Sequence, residues 1–253
     1  MRAHDAPVRV LVTRAAEDAA RTAAKLEAMG FDVLLSPLIE TRATGEAPPE
    51  GPVDALLVTS AKAAAFLSRL PVDLARAPIL AVGERTAEAV RDAGGVDVRA
   101  AEGDAVSMIA HVRRNHAPGT RFLHLVGRDR KVEPDATLVA QGYRVTPWVV
   151  YEAASLPLDA AARGALATGE IDAVLHYSRR SATLFLDAVS RAAAGDRARA
   201  FLHAAISADA AEPLREAGAT RLVVAAEPSE TALLRVFADA ASLAFGARCR
   251  SVR

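Results

Sequence analysis

Short runs of Val, Leu and Ile alternate along this chain with longer, alanine-rich segments whose apolar residues recur at helical spacing. Strand and helix alternating in this way predict an α/β protein with a mostly parallel sheet flanked by helices.

The pattern also repeats. Asp54 to Ser60, with a helix through Phe66, has a counterpart in Asp172 to Ser178, with a helix through Phe185. Ala81-Val82-Gly83, a helix to Gly94 and Ala101 to Asp104 return as Ala205-Ile206-Ser207, a helix to Gly218 and Ala226 to Ser229. The opening unit, Val10 to Arg14 with a helix to Gly30 and a strand to Glu40, recurs as Leu123 to Arg128, Gly142-Tyr143 and Tyr151-Glu152. Three units therefore occur twice in the same order, and duplication of a flavodoxin-like unit is the simplest account. A repeat this long argues for paired domains and against a solenoid. The segments Leu34 to Arg42 and Val145 to Glu152 contain Pro37 and Pro147. Proline disfavours a central strand, so both read as edge strands or connecting ribbons. The stretch from Gly246 to Arg253 lacks apolar periodicity and reads as a frayed end.

Composition narrows the classes. At 253 residues the chain has room for one large domain or two small ones. Thirty-one basic and 31 acidic residues cancel, so no global field draws it to nucleic acid or to an anionic membrane. Lys25, Lys62 and Lys131 are its lysines, and the excess of arginine and alanine points to a GC-rich bacterial genome. The single cysteine, Cys249, excludes a disulfide framework and fits a reducing cytoplasm. No apolar stretch approaches the roughly 20 residues that span a bilayer, and residues 1–7 lack the apolar core of a secretory signal.

In open parallel sheets, ligands bind beyond the carboxyl ends of the strands. Here those ends read Thr13-Arg14, Thr59-Ser60, Gly83, Gly127-Arg128, Ser178-Arg179-Arg180 and Ser207. Hydroxyls, glycine-exposed amides and guanidinium groups all suit anions. Thr13, Ser60 and Ser178 fit equally well as N-caps of the following helices, and Gly83 and Gly127 as tight turns. Other chemistries lack their motifs: there is no Gly-x-Gly-x-x-Gly, P-loop, His-Glu-x-x-His or Gly-x-Ser-x-Gly. His124 and His176 fall within expected strands, as satisfied buried imidazoles. Glu40 and Glu152 read as structural or solvent-facing rather than as a catalytic pair.

Taken in order, Val12-Thr13-Arg14, Asp54 to Ser60, Ala81 to Ala87, Gly142 to Tyr151 and Ser178 to Ser181 resemble uroporphyrinogen-III synthase, over about Val8 to Phe237. The resemblance implies two flavodoxin-like domains with parallel sheets joined by a two-stranded β connection. It places residues 1–36 with 155–253 in one domain, 43–147 in the other, and 37–42 and 148–154 in the connecting strands.

The implied reaction dehydrates the linear tetrapyrrole hydroxymethylbilane, inverts ring D through a spiro intermediate and closes the macrocycle, without cofactor or metal. Unassisted closure gives the type I isomer. The implied setting is a cytoplasmic monomer, possible hand-over from hydroxymethylbilane synthase, and no nucleic acid or membrane. The family's tyrosine maps onto Tyr151, as a donor to the departing hydroxyl. Thr59, Ser60, Thr86 and Ser178 match family positions near a cleft between hinged domains and are the candidates for contacts to substrate carboxylates. Gly83, Gly127, Arg128, Arg14, Arg179 and Ser207 join them from placement. Where the family has a threonine, the second repeat has Ala210, after Asp209 read as a helix cap. A non-catalytic tetrapyrrole or polycarboxylate sensor is the alternative class.

Overall fold

The computed structural model describes residues 6–248; Cys249 and the arginines beyond it lie outside them. Eleven strands form among the described residues: β1 (Arg9–Val12), β2 (Asp32–Leu35), β3 (Ile39–Ala43), β4 (Ala55–Val58), β5 (Ile79–Ala81), β6 (Val98–Ala100), β7 (Arg121–Gly127), β8 (Arg144–Ser155), β9 (Ala173–His176), β10 (Leu202–Ala205) and β11 (Arg221–Val224). The chain divides into two compact units, one running to Glu40 and resuming at Ala154, the other Thr41–Ala153.

The first unit holds a five-stranded sheet of order β11-β10-β9-β1-β2 with parallel pairings. Its continuous apolar runs are explained by helices on both faces. Val10 and Val12 pack with Leu26, Leu233 and Phe237 on one face, whereas Leu11 and Val174 pack with Leu166 and Phe185 on the other. Each such fully buried side chain contributes about 1.5–3 kcal/mol.

The second unit holds a six-stranded sheet of order β3-β8-β7-β4-β5-β6. β8 lies between β3 and β7, so the expectation of an edge strand at Val145 to Glu152 is corrected. Pro147 is tolerated because of which way it faces. The Arg144 N–H donates to Thr120 O at 3.0 Å, so alternation along the strand turns the nitrogen at 147 away from β7. On that outer side β3 pairs only farther along, where Thr44 N–H reaches Val150 O and Leu156 N–H reaches Leu38 O. Those two bonds run in opposite chain senses, so β3 and β8 pair antiparallel. A bulge then shifts the β7–β8 register and sets Gly127 opposite Tyr151.

The aspartates that open the repeated segments do the same work in both units. The Arg121 N–H donates to Asp54 Oδ2 at 2.9 Å while Asp54 N–H donates to Arg121 O at 2.8 Å. Likewise Arg9 N–H donates to Asp172 Oδ2 at 2.9 Å and Asp172 N–H to Arg9 O at 3.0 Å. Hydrogen bonds from Arg121 hold the Asp54 carboxyl down at about 2. Asp172 also receives Arg248 through two bonds, at 2.9 and 2.6 Å. Arg248 ends a 3-10 turn, Gly246–Arg248, so the frayed end expected from Gly246 is corrected there: this guanidinium is tied down.

In the first unit His176 Nε2 lies 3.0 Å from His203 Nδ1, and His203 Nε2 lies 2.8 Å from Ala198 O. A carbonyl only accepts, so His203 carries its proton on Nε2, His176 donates from Nε2, and His176 Nδ1 is left bare. That buried nitrogen has no partner, so the expected satisfied imidazole at 176 is satisfied on one side only. Burial pushes both rings below their ordinary 6.5, His176 well below.

The unfolded chain takes up protons at these histidines before the folded one does. The unit therefore loses stability as pH falls below about 6.5, by up to about 1.4 kcal/mol per pH unit for each histidine. Hydrogen exchange of β9 and β10 amides, corrected for intrinsic rates, should show protection falling from pH 7 to 5; constant protection would contradict this. Asp172→Ala, which strands Arg9 N–H and Arg248, should cost about 2–3 kcal/mol in urea unfolding. Asp54→Ala should cost less, because the Asp54 and Arg121 side chains are 39% and 40% exposed. Equal losses would contradict that ordering.

Candidate active site

The strand ends of the six-stranded unit hold two separate groups. The first surrounds Tyr151. A Cβ added at Gly127 would lie 2.7 Å from Tyr151 Cε2 and Cζ, so the tyrosine ring occupies the space that glycine leaves. Its other neighbour is Phe66, stacked at 6.0 Å between centroids and 13° between planes. Among the described residues the Tyr151 hydroxyl has no hydrogen-bond partner, while its carbonyl accepts Arg128 N–H at 2.9 Å. The Arg128 guanidinium donates to Glu152 at 2.6 Å and to Glu46 at 3.2 Å. The Glu152 bond raises the arginine's already high pKa.

The second group follows β4 and β5. Thr59 Oγ1 lies 2.9 Å from His124 Nε2, and His124 Nδ1 lies 2.6 Å from Asp135 Oδ1. Both nitrogens of His124 are therefore engaged. Strand alternation puts Leu57 and Phe122, and with them Thr59 and His124, over Met108 and Leu138. Phe66 and Tyr151 pack over the opposite face, with Leu125 and Trp148. Thr59 and Tyr151 thus share an end of the sheet but not a face. Ser60 caps the helix Ala61–Ala64, its Oγ accepting Lys62 N–H at 3.3 Å. Gly83 caps the helix Glu84–Asp92, with buried Thr86 in its first turn. A Cβ on Gly83 would come within 2.7 Å of Gly103 Cα, so close backbone approach requires glycine there.

In the five-stranded unit Ser178 caps the helix Arg179–Arg191 reciprocally with Ser181: each serine oxygen accepts the other's backbone N–H, both at 3.1 Å. Ser207 caps Ala208–Glu216 through Ala210 N–H at 3.2 Å. Asp209, expected as the cap, instead pairs with Arg179 at 3.3 Å, and Arg179 also reaches Glu212. Ala210 is fully buried beside Ala205 and Ala211.

Thr13 does not cap a helix. Ala15 holds that position, and the Thr13 hydroxyl is buried without a partner. Arg14 is engaged on every side, donating to Thr22 and Glu230 at 2.9 Å, pairing with Asp18 at 3.1 Å and lying 4.0 Å over the Tyr177 ring. Burial pushes the Tyr177 phenol up to about 12. Burial opposes ionisation of Glu230 too, but bonds from Lys25 and Thr22 hold its carboxyl below the ordinary value.

Sequence reasoning missed Phe66 and Asp135 as members of these groups. Nothing local marks them, because their partners lie on strands brought together only by sheet register. Among the described residues no group of three or more His, Cys, Asp or Glu is placed to hold a metal. No described helix is long and apolar enough to cross a membrane.

The chain is similar to the crystal structure of uroporphyrinogen-III synthetase from Helicobacter pylori 26695, at 19% identity over 90% of this chain and 97% of that one, with a TM-score of 0.59; this shows a shared fold. A mutant uroporphyrinogen III synthase from the extremely thermophilic bacterium Thermus thermophilus is 22% identical over 93% of this chain and 99% of that one, with a TM-score of 0.49. No curated protein sequence matches. The family model for uroporphyrinogen-III synthase HemD matches residues 20–235. With that match spanning most of the sequence, the chain belongs to the uroporphyrinogen-III synthase family.

Proposed function

We propose that Tyr151 assists departure of the hydroxyl group in the reaction of this family. The family's activity is that of a cyclising lyase: hydroxymethylbilane loses water, ring D inverts through a spiro intermediate, and the macrocycle closes as uroporphyrinogen III. The observation that supports the role is the tyrosine's setting. Its ring is held between Phe66 and the bare backbone of Gly127, and its hydroxyl is committed to no group among the described residues. A phenol so placed is oriented in advance and keeps its proton for a leaving oxygen.

The substrate is a polycarboxylate, and the strand ends supply donors for it. A capping serine accepts a helix N–H and can still give its own proton, so Ser60 and Ser207 serve both tasks, whereas Ser178 donates to Ser181 Oγ at 3.1 Å and must exchange that bond to reach a carboxylate. Thr86 and the amides at Gly83 and Gly127 are buried and are the weaker candidates. Arg128 and Arg179 are 53% and 45% exposed, and pairs that open to water are exchanged for a substrate carboxylate at little cost. Arg14, at 20% exposure and with three protein oxygens around it, is the poorest candidate of the three. The protein acts as a cytoplasmic bacterial monomer that takes hydroxymethylbilane handed over from its synthase. The single cysteine fits a reducing cytoplasm, and the excess of arginine and alanine fits a bacterial source.

Tyr151→Phe should lower kcat by about 100-fold while leaving the circular dichroism spectrum unchanged; wild-type turnover would remove the donor role. Gly127→Ala inserts a methyl group into the space of the tyrosine ring, so it should lower turnover and cost about 1–3 kcal/mol in thermal unfolding. Combined with Tyr151→Phe, it should lower kcat no further than the worse single change. Wild-type kcat in the Gly127→Ala variant would contradict the positioning of Tyr151 by Gly127.

A further inference from the structure

Three side chains of the six-stranded unit form a hydrogen-bonded line that the role given to Tyr151 does not use. Thr59 is half-buried at the end of β4, His124 is 2% exposed, and Asp135 opens the helix Asp135–Ala140 with 20% of its side chain exposed. Asp135 also lines a cavity of about 550 Å³ whose wall carries Arg128, Arg130 and Lys131. The two links measure 2.9 Å between Thr59 and His124 and 2.6 Å between His124 and Asp135.

The direction of each bond follows from the outer end of the line. A carboxylate only accepts, so His124 carries a proton on Nδ1, and when that is the ring's one proton Nε2 is a lone pair. That lone pair takes the Thr59 hydroxyl proton. The Thr59 oxygen is left presenting lone pairs, and its exposed side is an acceptor. An acceptor repels a carboxylate and attracts an N–H. A linear tetrapyrrole offers both kinds of group: carboxylates around its edge and pyrrole N–H groups along its inner side.

We propose that Thr59, oriented by His124 and Asp135, receives a pyrrole N–H of the substrate and not one of its carboxylates. This rests on the family's substrate, and it replaces the expectation from sequence that Thr59 contacts a carboxylate. His124 and Asp135 are positioning residues that act through the Thr59 oxygen. The capping serines Ser60 and Ser207 keep their protons, whereas at Thr59 a buried ring reverses the polarity.

Two measurements on the full chain test it. Long-range proton–nitrogen NMR should find His124 with its proton on Nδ1, and Asp135→Ala should move that proton to Nε2. In steady-state assays Thr59→Val and Asp135→Ala should each raise KM for hydroxymethylbilane about tenfold with a smaller change in kcat, and Thr59→Ser should restore KM. The double variant should be no worse than the worse single, since both act through one bond. A wild-type ring protonated on Nε2, a tautomer unmoved by Asp135→Ala, or additive losses in KM would overturn the proposal. Failure of the wild-type chain to turn over hydroxymethylbilane would instead overturn the substrate reading, and the tautomer would then decide the polarity of Thr59 by itself.

Discussion

In each unit one carboxylate ties together two neighbouring central strands that lie far apart in the sequence. Asp172 accepts the backbone N–H of Arg9, and Asp54 accepts that of Arg121, with a reciprocal backbone bond in both cases. The bond fixes register at the amino ends of β1 against β9 and of β7 against β4. Register has a period of two, so a slip of one residue would exchange Val10 and Val12 with Leu11 between opposite cores. Everything at the carboxyl ends inherits that setting. For the first unit the tie has a further consequence, because it joins the two separate stretches of chain from which that unit is built.

The same register sorts the candidate chemistry. Leu57 stands opposite His124, and farther along the strand this brings Thr59 within reach of the imidazole. The bulge after Val126 sets Gly127 against Tyr151, and the missing side chain becomes room for a ring. Both groups belong to one sheet end, yet they project to opposite faces, one presenting a phenol and the other a hydroxyl whose proton is already committed. An enzyme whose task is to fold a flexible chain and decide where it closes gains more from such fixed donors and acceptors than from a strong nucleophile.

Much of the fold was legible because it rests on periodicity. Apolar runs such as Arg9–Val12 and Ala173–His176 announced parallel strands, and the repeat from Asp54 and Asp172 announced two sheets. The ordered motifs carried the family. What stayed hidden depends on which way a group faces. Pro147 argues against an interior strand until the open side of β8 is known, and Thr13 resembles a cap until the helix is seen to start later. Ser60 and Ser178 read alike as caps or ligands, and both are caps; what separates them is that Ser178 spends its proton on Ser181 Oγ. Asp135 carried no signal at all, since its meaning comes from a histidine on a strand folded over it.

The central claim is that this chain directs the closure of a linear tetrapyrrole. Incubation of the purified chain with hydroxymethylbilane, followed by chromatographic separation of the isomers, tests it most directly. The account predicts uroporphyrinogen III in clear excess over the type I isomer, and type I alone, as in unassisted closure, would contradict it.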